Sequence, residues 1–282
     1  MLGLKTRFLL AVPLTIALMG LAACSTAPSG PQLGTPAFYW QAAKETFANK
    51  DYMKTADHLR QVANGDSEFA KPAQVMRLVL SAGLAAGYGE TATAYENGAK
   101  ANTIQPMPLR RVASNYLKLA ETRALDFGET FLKFDTGNQD ANIVLEFGYP
   151  SANMAEPLEM KKIVFGILPD EAVQAAFERK MLERSIALAA CASVGAAGDP
   201  AKAQAVFQAG RSEVPRKVFL LAMANNLYDL AQLFGSKKLD LPQRVEFFAG
   251  KARDALKQAG EGKDAKALSV KLDKLLKDSK TR

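Results

Sequence analysis

The sequence predicts an all-α body built from paired helices, and three observations carry that reading. Alanine is abundant with glycines at intervals, alternating β-branched runs are scarce, and the chain matches itself at a displacement of 36 residues. The displacement sets Tyr52 on Tyr88, Thr55 on Thr91, Ala56 on Ala92 and Ala63 on Ala99, with Leu59 opposite Tyr95. These positions share one helical face.

The first element in chain order precedes that body. Lys5 and Arg7 are followed by an almost wholly apolar run, Phe8 to Ala23, which closes on Leu21-Ala22-Ala23-Cys24. A basic start, an apolar run and small residues before a cut site are the pattern of an export signal. The run is about 16 residues, short of the roughly 20 that span a bilayer. The tetrapeptide resembles the lipobox of bacterial lipoproteins. That resemblance implies cleavage after residue 23, with a diacylglyceryl group on the Cys24 thiol and an N-acyl chain on its amine. One acyl chain binds a membrane reversibly and two hold it stably, at roughly 0.8 kcal/mol per buried methylene. Ser25 stands where an Asp commonly retains such proteins in the inner membrane, so the expected location is the outer membrane, facing the periplasm.

Residues 24–36 form the lipidated tether. Three prolines and two glycines lie among residues 25 to 36, too few apolar side chains to pack a core. At about 3.1 Å per residue the tether reaches at most roughly 37 Å. The 259 residues from Cys24 onward suffice for a substantial core. Their only other cysteine is Cys191, so no internal disulfide is available and stability rests on packing. Their net charge of +5 is matched by the last 32 residues, which hold ten Lys or Arg against five Asp or Glu. A basic balance often signals nucleic acid. An exported lipoprotein meets none, and the tail faces anionic lipid head groups or water.

Two helical pairs are expected first, Ala37 to Ala48 with Tyr52 to Ala63 around the turn Asn49-Lys50-Asp51, and Pro72 to Ala86 with Tyr88 to Ala99 around Gly87. A third pair occupies residues 184 to 215. There Ala190-Cys191 is the small pair of the first helix, Gly198-Asp199 the turn, Ala203, Phe207 and Gly210 the packing face of the second, and Pro215 the close. These units resemble the tetratricopeptide repeat, whose small residues let paired helices approach closely. The resemblance implies a TPR-like, helical-hairpin, right-handed solenoid, with repeats over residues 37–134 and 171–282. Lys217 to Phe234, which places Tyr228 like the repeat's first-helix aromatic, and Pro242 to Gln258 read as further helices around a long turn, Gly235 to Leu241. From Asp264 to Lys277, the stripe Ala265, Leu268, Leu272, Leu275 and Leu276 marks an amphipathic helix that caps the array. A place on the membrane interface is the alternative.

Residues 135–170 are an irregular connection. Asp135 to Asp140 form a turn-rich cluster and Asn142 to Phe147 fit either a short strand or a helical turn. The cluster lacks the alternating oxygen ligands, glycine and closing glutamate of a calcium loop, so no metal is expected.

No catalytic residue is expected either. His58 is the only histidine and has no nucleophile beside it, and zinc-binding and phosphate-loop motifs are missing. Cys191 sits where the repeat wants a small buried residue, and such thiols are inert. Phe38, Tyr39 and Trp40 read as core of the first pair. A lytic transglycosylase needs a glutamate followed by serine. Glu45, Glu121 and Glu129 each precede threonine and lack the segment that shapes that active site. The expected function is therefore an anchored periplasmic scaffold holding a protein or peptide partner in a helical groove, in envelope assembly or secretion. It has no cofactor beyond the acyl chains of Cys24. A helical lipoprotein binding a small or lipidic ligand for an uptake system is the rival.

Overall fold

The computed structural model describes residues 30–208 and 210–280, and its regular structure is helical apart from one short ribbon. The expected export signal and Cys24 lie outside the described residues.

The chain begins with a hairpin of α1 (Pro36–Ala48) and α2 (Tyr52–Ala63). Thr35 Oγ1 caps α1 by accepting from Phe38 N at 3.3 Å, and Asp51 caps α2 by accepting from Lys54 N at 3.3 Å. The turn 49–51 falls where the sequence predicts it. Trp40 is buried in this hairpin, while Phe38 and Tyr39 are half-buried.

The next helix, α3 (Ala70–Ala101), organises the rest. Its 32 residues extend about 48 Å at 1.5 Å per residue. From Val75 to Ala85 every residue is buried, three turns without a solvent face. α3 lies against α2, α4 (Pro106–Gly137), α5 (Leu158–Val164), α6 (Glu171–Ser193), α8 (Arg216–Leu233) and strand β1 (Asn142–Leu145). In a stack of repeats each unit touches only its neighbours. This body instead wraps around one helix, which differs from the solenoid that the sequence predicts.

Gly87 is the clearest correction. It forms no turn: α3 runs unbroken through it, so the second expected unit is not a hairpin. The glycine is there for close approach, since a Cβ at Gly87 would lie 3.0 Å from the Leu182 side chain of α6. One turn earlier, a Cβ at Gly83 would lie 2.5 Å from Ile186 Cα. Small residues at 82, 83, 85, 86 and 87 thus let α6 press onto α3.

The stretch from Val75 to Ala85 holds one charge, Arg77, which is 2% exposed. Its guanidinium pairs with Asp126 of α4, and Ser81 Oγ donates to the same carboxylate. Phe127, Phe131 and Phe134 complete the α3-facing side of α4, with Phe127 and Phe131 stacked at 6.3 Å.

The irregular segment resolves into a strand and α5. β1 pairs antiparallel with β2 (Ser212–Pro215), Ile143 opposite Val214. This pairing also corrects the third unit. Its second helix, α7 (Pro200–Phe207), lasts two turns, Gly210 turns the chain at φ 67°, and Pro215 ends a strand rather than a repeat. Asp135 belongs to the last turn of α4, where it accepts from Gln258 Nε2 at 2.8 Å, and Asp140 pairs with Lys71 at 2.9 Å. Both carboxylates serve the connection.

α8 and α9 (Pro242–Ala259) form a closing hairpin, with Phe234 stacked on Phe248 at 5.1 Å. α10 (Lys263–Lys280) packs on it and buries Leu268 and Leu272. Among the described residues no helix is long and apolar enough to cross a membrane.

The α3–α6 contact can be tested by two glycine substitutions of opposite sign. Gly83→Ala forces Cβ into a helix backbone and should lower stability by about 1–3 kcal/mol, the usual cost of overpacking. Gly250→Ala in α9, with nothing within 4 Å of its Cβ, should raise it by about 0.5–1 kcal/mol. Urea unfolding of the chain from Ser25 onward reads both.

Candidate functional site

A groove lined by four aromatic side chains opens where the α1–α2 turn meets the segment after β1 and the start of β2. Its volume is about 680 Å³. Phe47 and Tyr52 come from the hairpin, with rings 5.7 Å apart, and Phe147 meets Phe47 edge-on at 5.5 Å. Tyr149 completes the wall against Phe207 at 5.9 Å. The aromatic rings give an apolar floor with polar tips.

Three cations border this floor. Lys50 pairs with Glu183 at 2.7 Å and Arg211 with Glu146 at 3.0 Å. Lys44 Nζ lies 5.3 Å from the Trp40 ring centroid, a cation–π contact. Burial pushes the Tyr52 hydroxyl up to about 12, with Glu183 adding to the shift. Burial also raises Tyr149, whose Oη lies 3.3 Å from Cys191 Sγ and is held by that contact. Both phenols are therefore neutral at pH 7 and act as hydrogen-bonding groups.

A second groove of about 530 Å³ runs between α3, α5, α6 and α8. Its floor is Ala82, Ala85, Ala86 and Gly89, and its wall carries the Arg184–Glu90 ion pair at 2.8 Å. Asn226 Nδ2 is buried there without a hydrogen-bond partner. Asp229 keeps contact with water at the groove mouth. Crowding by the walls still pushes its carboxyl up to about 6, with Glu90 adding to the shift and Lys271 and Lys238 opposing it.

A third cluster stacks Tyr88, Tyr116 and Tyr95, with Tyr116 donating to Glu178 at 2.9 Å. Burial raises all three hydroxyls, and Tyr88 and Tyr95 reach about 12. Its small cleft is lined by Tyr88, Glu178 and Leu182 among others.

The residues singled out from sequence do not converge on one centre. His58 packs against the Tyr39 ring at 6.0 Å. Cys191 is fully buried beneath Tyr149. Glu129 binds Lys133 at 2.8 Å, and Glu45 accepts from Gln41. Among the described residues no group of three or more His, Cys, Asp or Glu could hold a metal ion. Sequence reasoning missed Tyr149, Arg211 and Asp229. Tyr149 and Arg211 reach the groove only through the β1–β2 ribbon, and Asp229 looks like any helix-surface carboxylate. No protein-family model, curated protein or solved structure matches the chain.

Asp229 gives a pH signature. Its folded pKa of about 6 exceeds the unfolded value of roughly 3.9, so the native state holds the proton more tightly. The Asp229 contribution to stability is fullest below pH 4 and falls as pH rises to 6. Asp229→Asn should remove that fall, so that the variant's stability is flatter than the parent's across pH 4 to 6 and the difference between them widens over that range. Carboxyl NMR of the parent should show a midpoint near 6.

Proposed function

We propose that this chain is an acylated outer-membrane lipoprotein whose helical body holds a segment of another envelope protein. Support for the anchor is the sequence from Lys5 to Cys24. The reading of the body rests on the 680 Å³ groove. It is open, bordered by Lys44, Lys50 and Arg211, and floored by Phe47, Tyr52, Phe147 and Tyr149. An enclosed apolar cavity would have favoured a lipidic ligand instead. An extended segment can lay apolar side chains on the Phe47–Phe147 floor and direct a carboxylate to Lys44. No covalent step is needed. A groove already formed by packed helices loses little entropy on binding, and aromatic anchors supply most of the energy in such contacts.

The TPR-like reading survives in this proposal as local hairpins. α1 with α2 keeps the repeat's turn and its buried small residues Ala43, Ala56 and Ala63, and it builds one wall of the groove. A second reading, a binding protein for a small polar ligand, is favoured by one observation. The unpartnered Asn226 Nδ2 and the Asp229 carboxyl share the α3–α8 groove.

Two measurements test the proposal. Cys24→Ala should abolish incorporation of a palmitate analogue and leave the precursor uncut; continued labelling would rule out this anchor. A photoreactive residue at Ala48, on the exposed groove rim, should give one discrete protein adduct in living cells, whereas the same residue at Arg244 of α9 should not. Lys44→Glu should reduce that adduct at least fivefold. Loss of specificity between Ala48 and Arg244, or an adduct with lipid alone, would sink the scaffold reading.

A further inference from the structure

Large apolar side chains are exposed mostly at one pole of the molecule. Seven of the eleven that stand in solvent among the described residues belong to the α3–α4 turn with the start of α4, or to the segment from α5 into α6. Ile104 is 88% exposed, Phe165 78%, Met107 66% and Ile167 56%. Leu168 stands beside them at 44%.

Asn102 ties these two stretches together. Its Nδ2 donates to Gly166 O at 3.0 Å, while its Oδ1 accepts from Ile104 N at 3.1 Å and Gln105 N at 2.8 Å. Gly166, between Phe165 and Ile167, sits so close to Asn102 that a Cβ there would lie 2.8 Å from Asn102 Cβ. The two backbone stretches that carry the apolar tips are therefore held side by side by the Asn102 side chain. They are not a frayed loop.

The rim is cationic. Lys161 and Lys162 end α5 next to Phe165, Lys100 lies in the last turn of α3, and Arg110 and Arg111 follow Met107 on α4. All five are exposed. Glu159, the carboxylate on α5, is taken by Lys180 at 2.7 Å. Glu96, Glu156, Asp170 and Glu171 are the remaining acids nearby, and Asp170 accepts from Val173 N as the cap of α6. The balance of five cations against four carboxylates, one of them engaged as the α6 cap, leaves the pole positive.

We infer that this pole is a membrane-docking face that inserts Ile104, Met107, Phe165, Ile167 and Leu168 among the head groups of an anionic lipid surface. Apolar tips ringed by lysine and arginine match a bilayer whose surface is negative and whose boundary is greasy. A second copy of this chain would bring like charge against like charge. The contact is distinct from the acyl anchor and is independent of it.

The test uses the unacylated chain from Ser25 onward, whose core lies within the described helices, so a failure here leaves the Cys24 assignment untouched. Flotation with phosphatidylcholine vesicles containing 30% phosphatidylglycerol is compared with phosphatidylcholine alone. Binding should be at least tenfold stronger to the anionic vesicles and should weaken with salt. The Lys161→Glu/Lys162→Glu and Phe165→Ser/Ile167→Ser variants, which alter exposed side chains, should each lose at least tenfold with unchanged circular dichroism and melting. Lys257→Glu/Lys274→Glu, the same charge reversal on the basic tail, should change binding less than twofold. Equal binding to both vesicles, no binding, loss through the tail variant instead, or a dimer in sedimentation that Phe165→Ser/Ile167→Ser dissolves would each overturn the inference.

Discussion

The burial of Arg77 inside α3 is the constraint on which the rest of the structure depends. A guanidinium withdrawn from water must meet a carboxylate, and removing one partner of such a pair costs about 3–5 kcal/mol. Asp126 supplies the carboxylate from α4, and Ser81 shares it. Arg77 Nε and Nη1 find no acceptor, so the pair is not an optimised source of stability. Apolar residues of matching volume would often do as well. What the pair does impose is register. α4 can slide along α3 only by stranding a charge, and with that register fixed, Phe127, Phe131 and Phe134 meet the core together. α6 and the small residues of α3 complete the other side.

The all-helical class was legible because apolar spacing and caps are local signals. Asp51 announces α2, and Leu268 and Leu272 announce the buried face of α10. Gly87 was not legible. In sequence, a glycine among alanines signals a turn between paired helices, and the same letters also describe a helix that another helix must approach closely. Only Leu182, 95 residues later, distinguishes the two. The β1–β2 ribbon has the same difficulty, since Ile143 and Val214 carry no mark of each other. The 680 Å³ groove was therefore half visible. Phe47 and Tyr52 belong to a readable hairpin, whereas Tyr149 and Arg211 arrive through distant pairing. Cys191 was readable as buried filler, but its Tyr149 partner was not.

α3 also sets where the chain enters α1. Gln74 Nε2 donates to Ala63 O at 3.0 Å, so the end of α2 lies beside the first turns of α3. The Tyr39–His58 ring contact puts the start of α1 next to the later half of α2, and the Tyr88 hydroxyl meets Met53 at the other end of that helix at 3.9 Å. The start of α1 thus lies near the level of Gln74. The apolar cationic pole lies at the far end, near Asn102.

From Gln74 to Asn102, 28 residues at 1.5 Å each separate the two levels by roughly 42 Å; the expected tether would reach roughly 37 Å only if extended throughout, and residues 32–35 are instead turned, with Thr35 N donating to Gln32 O at 3.1 Å. If Cys24 carries the proposed acyl anchor, anchor and pole cannot therefore meet one leaflet with α3 upright, because the chain is too short. They can do so with α3 leaning toward the membrane, an orientation that shortens the height of Pro36 above the lipid. Two attachments at opposite ends would then hold the body down along its length, where a single tether would leave it free to turn. Such a body presents the same side outward at all times. For the proposed scaffold, which would hold another protein's segment at a set distance from the bilayer, fixing that side would be worth more than the affinity that the second attachment adds.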